Sequence, residues 1–321
     1  MSRLKVIDFD YGCGGFTKGL EDTKKFRVTK NFSLNNNNLY CYNKTHHNDF
    51  IIDDSLTDDF DLVVFSPDLK KPSSKQKTLD MTEINNILIF ISMKKPENLI
   101  IITKREVFPF LQVYDRVCMV NDTPHPSKDI FANFLADIGY RVYNFIMDGA
   151  GFGLPQHIYY NIYWASLNDV GSLNLKEGFG QFKQPYRTPK NLIGDLRDNS
   201  KISWHKPDYK KKDICSLIEP GSNAKKTSAV SVSQGYNRLE SNKVFSHLGS
   251  DFYTVSSSFP SIHPYYDRPL TIREGARLFG LTDDFDWDNR LKNKVVASMI
   301  YDSFYPVLST LMGLRLYKIL K

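Results

Sequence analysis

Short buried-strand runs alternate with helix-like segments along the first half of the chain, and this alternation limits the fold more than any other feature. Three apolar runs are typical of buried strands: Leu4–Phe9, Leu62–Phe65 and Leu99–Ile102. Between the last two runs, apolar residues recur at helical spacing over Thr82–Met93. Strands that alternate with helices in this way predict a doubly wound, Rossmann-like α/β sheet.

The same pattern continues further along the chain. An apolar stripe from Ile130 to Ile138 predicts a helix that Gly139 ends, and Arg141–Ile146 and Ile158–Trp164 predict two more strands. Near the other end, Lys294–Leu320 predicts a long amphipathic helix with a break at Pro306.

The composition changes after about Ser166. The segment Gly171–Gly235 is rich in Gly, Pro, Ser, Asn and Lys and has poor apolar periodicity. Its aromatic residues favour a second, smaller and loop-rich domain over a partly disordered insertion. We predict an α/β domain over residues 1–168, the small domain over 169–284, and a C-terminal helix over 285–321 that returns to the first domain.

Charge and cysteine content set broad limits on function. The chain has 321 residues, with 42 Lys and Arg against 36 Asp and Glu, an excess that favours a polyanionic partner only mildly. Its four cysteines are far apart, which argues against a disulfide framework and against a metal site. Charged residues interrupt the C-terminal apolar stretch and no signal peptide is recognised, so we expect no membrane span and an intracellular protein, in the cytoplasm or nucleus.

A glycine-rich turn follows the first predicted strand. In the run from Val6 to Phe16, Gly12, Gly14 and Gly15 let the backbone approach a ligand closely, and the helix that follows favours a negative group at its N-terminus. A tight turn that merely packs is a frequent explanation of such glycines. The position at the start of an α/β pattern favours a nucleotide-type site.

Four segments together resemble the cytosine-C5 DNA methyltransferases, and they occur in the order of that family. They are DFDYGCGGFTKGLED from Asp8, GFGLPQ from Gly151, the stretch Ile262–Phe285, and LKNKVVASMIYDSFYPVL from Leu291. The resemblance implies the fold of S-adenosylmethionine-dependent methyltransferases, in which the glycine turn holds the cofactor. It also implies that the small domain is a target-recognition domain and that double-stranded DNA is the partner.

The same resemblance shows that the reacting groups are absent. The family attacks cytosine with the cysteine of a P-C-Q loop, whereas here that position falls on Asp68 or Leu69. The family's catalytic E-N-V falls on Ile102-Thr103-Lys104. The two arginines after G-L-P-Q become Ile158 and Tyr160. We therefore predict no catalytic residue of the family type.

Two other residues near these motifs have ordinary explanations. Glu97 precedes its strand instead of following it, so we interpret it as a solvated loop acid. His157 invites a role as a base, but a single histidine at a strand start is more often a surface or packed residue.

The cofactor contacts implied by the family are altered as well. The motif I phenylalanine that lies against adenine becomes Asp10, and the acid that binds the ribose falls on Asn31 or Phe32. Binding of S-adenosylmethionine is therefore left open. The positions that would contact it are Asp8, Asp10, Gly12, Cys13, Gly14, Gly15, Phe16, Asn31 and Asp53.

The leading hypothesis is a catalytically silent homologue that binds DNA or regulates a protein partner such as an active methyltransferase. Candidate DNA contacts are the basic residues of the small domain: Lys210, Lys211, Lys212, Lys225, Lys226 and Arg238. Two alternatives stay open. One is an active S-adenosylmethionine-dependent DNA methyltransferase with non-standard catalytic residues, and the other is a protein that binds a different adenine ligand at the glycine turn.

Overall fold

The computed structural model describes a central sheet, the helices packed on it and parts of the second region. The described residues are 2–10, 12–32, 60–67, 82–104, 117–120, 123–126, 129–168, 185–196, 215–221, 237–245, 248, 252, 261–285, 287 and 290–321. The side chains of residues 82, 83, 117–120 and 123–126 are not described.

Strands and helices alternate through the first half as the sequence predicts. The strands are β1 Leu4–Asp10, β2 Phe26–Phe32, β3 Leu62–Ser66, β4 Asn98–Lys104, β5 Val117–Val120, β6 Thr123–Pro126, β7 Arg141–Asp148, β8 Tyr159–Ser166, β9 Asn237–Arg238 and β10 Ser261–Ile262. The helices are α1 Gly15–Asp22, α2 Thr82–Lys94, α3 Ile130–Asp137, α4 Pro189–Ile193, α5 Ile272–Leu278, α6 Asn293–Asp302 and α7 Pro306–Leu320. A short 3₁₀ helix, Gly149–Phe152, connects β7 to the loop before β8.

Six strands form the main sheet in the order β2-β1-β3-β4-β8-β7. Strands β1 to β4 are parallel, whereas β8 is antiparallel to both β4 and β7. The predicted Rossmann-like α/β fold is confirmed, with an antiparallel strand within an otherwise parallel sheet. Because β1 lies between β2 and β3, the strand order reverses at β1, and ligands of such sheets bind beyond the carboxyl ends of the strands at that point.

Two apolar clusters cover the two faces of the sheet. Alternate residues of β1 belong to different clusters, as the two-residue period of a strand requires: Val6 faces one cluster and Ile7 the other. Helices α1, α6 and α7 pack with the Val6 cluster, and α2 and α3 pack with the Ile7 cluster. This arrangement places α1 and the C-terminal helices on the same face.

The C-terminal segment breaks at the predicted proline. Helix α6 ends at Asp302 and α7 begins at Pro306, whose fixed φ suits the first turn of a helix. Helix α7 packs along α1, where the Thr310 hydroxyl donates to the carbonyl oxygen of Gly19 at 3.0 Å. Within the described residues, Asn293–Leu320 is long and apolar enough to cross a membrane by composition. However, 61% of its most apolar window is buried inside the protein, as in the core helix of a folded domain.

The second region, residues 169–284, is described only in parts. Helix α5 contacts α4 and α6, and its apolar residues join the same cluster as β1 and α7. This shared core gives no sharp limit between two units. The boundaries 1–168, 169–284 and 285–321 therefore stay predictions.

Candidate functional site

Polar side chains collect at the carboxyl edge of the parallel strands. In the sheet register, Asp8 of β1 pairs with Asn31 of β2, and Asp10 pairs with Ser66 of β3. Paired residues of neighbouring strands point to the same side of a sheet, so these four side chains lie together on the face that α1 covers. This edge is where the switch-point rule places a ligand.

The glycine turn between β1 and α1 is satisfied from within the protein. Gly14 adopts a left-handed conformation with φ of 86°. The carboxylate oxygen Oδ1 of Asp10 accepts a hydrogen bond from the backbone N–H of Gly12 at 2.8 Å, and the N–H of Gly15 donates to the hydroxyl of Ser303 at 3.2 Å. Two of the turn's donors are therefore already used.

The turn also packs closely against the link between α6 and α7. A Cβ atom added at Gly12 would overlap the backbone of Ser303, and one added at Gly15 would overlap the carbonyl oxygen of Phe304. The packing explanation of these glycines thus has a direct structural basis. Cys13 and Phe16 point their side chains into the core, so any ligand would meet them only through the backbone.

Two buried carboxyl groups at this edge have raised pKa values. Burial raises the pKa of Asp10 to about 6, although hydrogen bonds from the Gly12 and Gly14 amides oppose the change and the charge of Asp302 adds to it. Burial, followed by the charge of Asp10, raises the pKa of Asp8 well above its usual range. The Thr17 hydroxyl, which donates to Oδ2 of Asp8, acts in the opposite direction.

Several buried polar atoms along this edge have no hydrogen-bond partner in the described part of the chain. They are Oδ1 of Asp8, Oδ2 of Asp10, Nδ2 of Asn31, Oγ of Ser66 and Oγ1 of Thr103. Buried polar atoms without partners are rare in folded proteins and require an explanation such as a bound water or ligand. The carboxyl edge is therefore the part of the molecule best suited to a polar ligand.

Lys104 is a site residue that motif comparison did not select. At the end of β4, its Nζ donates to the carbonyl oxygen of Tyr301 at 2.7 Å and to Oδ1 of Asp302 at 3.1 Å. The same ammonium group lies 3.3 Å from the centre of the Tyr301 ring. These contacts tie β4 to the end of α6 across the carboxyl edge. In the sequence, Lys104 stands out only as the third residue of the segment that aligns with E-N-V.

The described positions that align with the family's reacting groups hold buried side chains of other types. Ile102 and Thr103 are buried at the end of β4, and Ile158 and Tyr160 are buried at the start of β8. The Tyr160 ring packs edge-on against Phe304 at 4.5 Å, and burial raises the pKa of its hydroxyl. Asp68, Leu69 and Asp53 lie outside the described residues.

The G-L-P-Q loop is held on both sides. The buried side chain of Gln156 donates from Nε2 to the Leu278 carbonyl at 2.8 Å and accepts from the Leu248 amide at 3.0 Å. His157 follows it, and its Nδ1 lies 2.7 Å from Oδ2 of Asp148 at the end of β7. Glu97 is exposed at the opposite edge of the sheet, as the sequence predicts.

Arg238 corrects one of our expectations. Its side chain is largely buried, and NH1 donates to the carbonyls of Cys215 and Ile218 and to Oδ1 of Asp267 at 2.9 Å. The guanidinium is thus bound to acceptors within the protein, which makes it a less suitable DNA contact than its charge alone suggests. The five candidate lysines, at 210–212, 225 and 226, lie outside the described residues.

The arginines of the Ile262–Phe285 stretch form ion pairs and hydrogen bonds within the protein. Arg268 is buried and forms a two-pronged ion pair with Glu274, with both N···O distances 2.9 Å. Arg273 donates to the Phe285 carbonyl, and Arg277 pairs with Asp195 and Asp283. In the described part of the chain, no group of three or more His, Cys, Asp or Glu side chains is arranged to hold a metal ion.

Comparison with known proteins decides the family. The profile described as C-5 cytosine-specific DNA methylase matches residues 119–308, more than half of the chain. The chain belongs to this family. Within the methylase family, a protein of Methanocaldococcus jannaschii named as a candidate type II methyltransferase, M.MJ0563P, is 27% identical over 303 residues. The alignment covers 88% of this chain and 89% of that protein.

Solved structures of methyltransferases share the fold. The Dnmt2 methyltransferase of S. pombe superposes with a TM-score of 0.69 at 16% identity and 98% coverage of both chains. The Entamoeba histolytica methyltransferase EhMeth gives a TM-score of 0.65 at 13% identity and 100% coverage of both chains. At these identities the likeness establishes the fold of this methylase-family chain.

The family depends on S-adenosylmethionine, and the described residues at the carboxyl edge differ from the cofactor contacts of the family. Asp10 stands where the resemblance implies an aromatic ring, and its carboxylate already takes the Gly12 amide. Lys104, Tyr301 and Asp302 are joined across the same edge. These residues do not fit S-adenosylmethionine in the way that the resemblance implies, and we derive no methyl-transfer step from them.

Proposed function

We propose that this chain is a catalytically silent member of the C-5 cytosine methylase family that binds double-stranded DNA. The observation that carries the proposal is the identity of the side chains at the reacting positions. A cysteine thiolate, a glutamate and two arginines are required, whereas the chain has Asp68 or Leu69, Ile102, and Ile158 with Tyr160. An aspartate is far less nucleophilic toward a pyrimidine ring than a thiolate, and aliphatic or buried phenolic groups cannot attack or polarise the ring.

The thiol nearest to the carboxyl edge among the described residues does not replace the missing nucleophile. Burial raises the pKa of Cys13 to about 12, which keeps it protonated and therefore poorly nucleophilic. Its side chain belongs to the apolar core and does not point into the cleft.

Duplex DNA is the expected partner because the family acts on DNA and because the small domain has two runs of lysines, at 210–212 and 225–226. Lys210, Lys211, Lys212, Lys225 and Lys226 are the proposed phosphate contacts. Phosphate contacts release counterions, so affinity should fall steeply as the salt concentration rises. A regulatory role beside an active methyltransferase is compatible with this binding and is tested by co-purification from the native host.

The test combines binding with methyl transfer. We expect the wild-type chain to bind a duplex, and replacement of Lys210, Lys211 and Lys212 by alanine to reduce the slope of log affinity against log salt by up to about 3. Transfer of a labelled methyl group to the same duplex should be absent. Salt-insensitive binding, or no binding, would contradict the DNA-binding proposal, and methyl transfer would contradict catalytic silence.

A second candidate function is an active S-adenosylmethionine-dependent DNA methyltransferase with non-standard catalytic residues. The observation in its favour is the set of unpartnered polar atoms on Asp8, Asp10, Asn31 and Ser66, which suits a polar ligand. Methyl transfer separates the two candidates, and calorimetry with S-adenosylmethionine tests the cofactor site. Binding that Asp10→Asn weakens, together with methyl transfer that Asp68→Ala abolishes, would favour the second candidate.

A further inference from the structure

The loop before β8 presents an oriented histidine at the ligand edge of the sheet. Strand β8 is antiparallel, so its first residues lie beside the last residues of β4, with Tyr160 opposite Lys104. The His157 side chain, 39% exposed, precedes this strand. Its backbone N–H donates to the Phe245 carbonyl at 3.0 Å, which fixes the loop to the second region.

Asp148 determines which nitrogen of the His157 ring carries a proton. The 2.7 Å distance between Nδ1 and Oδ2 of Asp148 is a hydrogen bond, and an ionised carboxylate can only accept. Nδ1 is therefore the donor. In the neutral ring this leaves Nε2 as a hydrogen-bond acceptor, and no described residue occupies it. Oδ1 of Asp148 in turn accepts from the Ala150 amide at 3.1 Å, which holds the carboxylate in place.

A flat, largely apolar surface adjoins this acceptor. The Tyr159 ring, 37% exposed, lies nearly parallel to the His157 ring, with an interplanar angle of 11° and centroids 6.1 Å apart. On the neighbouring strand, Ile146 is 41% exposed two residues before Asp148, on the same side of β7. Exposed aromatic rings of this kind provide stacking surfaces for unpaired bases.

We propose that His157 is a base-contacting residue whose Nε2 accepts a hydrogen bond from the exocyclic amino group of an accessible cytosine or adenine. The proposal rests on the nucleic-acid binding proposed above and adds a recognition element to it. Cytosine and adenine carry exocyclic amino donors. A phosphate is the less suitable ligand, because the Asp148 carboxylate lies directly behind the ring and repels an anion.

The test uses single strands whose bases carry or lack the exocyclic amino group, with binding measured by fluorescence anisotropy on the full chain. Oligo-deoxycytidine is compared with oligo-deoxyuridine, and oligo-deoxyadenosine with oligo-deoxyinosine. We expect the wild-type chain to bind the amino-bearing strand of each pair about three- to tenfold more tightly, the value of one hydrogen bond. His157→Phe keeps a ring but has no acceptor, so it should abolish the preference and leave binding to oligo-deoxyuridine unchanged.

Two controls make the result specific. Asp148→Asn removes the carboxylate that keeps the proton on Nδ1 of His157, so it should reduce the preference for the amino-bearing strands. Met93→Ala changes an exposed side chain on α2 and should not alter that preference. Equal weakening of all strands by His157→Phe would indicate phosphate contact and would overturn the inference. A preference that survives in His157→Phe would also overturn it. Duplex binding without any preference refutes this inference alone, and absence of binding to every nucleic acid refutes the proposed function as well.

Discussion

The Nζ atom of Lys104 lies 3.1 Å from Oδ1 of Asp302, and this ion pair joins the end of β4 to the end of α6. Both side chains are mostly buried, and the ammonium also rests on the Tyr301 ring. The three groups close the carboxyl edge next to Asp10, whose pKa the charge of Asp302 helps to raise. In this chain, the Lys104–Asp302 ion pair thus lies at the edge of the sheet where proteins of this fold class bind ligands.

Replacing Lys104 by methionine should destabilise the fold measurably. Methionine keeps much of the apolar chain but removes two charge-assisted hydrogen bonds and the contact of the ammonium with the ring. We expect the free energy of unfolding to fall by about 2 kcal/mol, measured by urea denaturation. The matched control is Lys18→Met, which breaks a more exposed pair with Asp22 within α1 and should cost about 0.5 kcal/mol or less. Equal losses in the two variants would contradict this assignment.

Local patterning explains what the sequence predicts well, and long-range contacts explain what it misses. Five of the six strands of the main sheet, helices α2 and α3, and the break at Pro306 follow from apolar periodicity and backbone chemistry, which act over a few residues. Strand β2 is the one that this pattern does not predict. Lys104 meets a partner 198 positions away, and no local pattern carries that information.

Arg238 also has long-range partners that the sequence does not reveal. Its charge suggested contact with DNA, but three acceptors from separate segments bury it. His157 was interpreted as an ordinary surface or packed residue, because the sequence does not reveal that Asp148, at the end of β7, lies within hydrogen-bond distance of it.

Stability should decrease as the pH rises through the raised pKa of Asp10. The folded pKa of about 6 exceeds the usual 3.8, so the protonated carboxyl is favoured in the folded state. This contribution is fully present below about pH 4 and is lost as the pH rises through 6. Asp10→Asn keeps an oxygen for the Gly12 amide without the charge. It should be more stable than wild type at pH 7, by on the order of 2–3 kcal/mol.

Urea denaturation at a series of pH values between 4 and 8 checks this prediction for Asp10. The difference between Asp10→Asn and the wild type should grow with pH over that window. Asp22→Asn, a change at an exposed carboxylate, serves as the control and should run parallel to the wild type. A constant difference between Asp10→Asn and wild type would show that the carboxyl is not protonated preferentially on folding.

The buried Arg268–Glu274 pair should behave in the opposite sense. Burial alone would raise the pKa of Glu274, but hydrogen bonds from Arg268 and the charge of His263 outweigh it and lower the pKa. Its contribution to stability is present above the ordinary glutamate range and is lost as the pH falls. Glu274→Gln leaves a buried guanidinium without its counter-charge, so unfolding at pH 7 should become easier by about 3 kcal/mol or more. Asp195→Asn, at the exposed partner of Arg277, should change stability by less than about 1 kcal/mol.

The glycine turn offers a test of whether its residues serve packing or ligand approach. An alanine at position 15 would place its Cβ against the carbonyl oxygen of Phe304 and 2.5 Å from the hydroxyl oxygen of Ser303. The Phe304 backbone cannot move aside as a side chain can, so Gly15→Ala should destabilise the fold by about 1–3 kcal/mol or more. At Gly151 an added Cβ meets nothing within 4 Å, and Gly151→Ala should leave thermal stability unchanged or slightly higher. If Gly15→Ala unfolds like the wild type and only weakens ligand binding, the space beside this glycine belongs to the ligand, and the close approach of the α6–α7 link is not what requires glycine there.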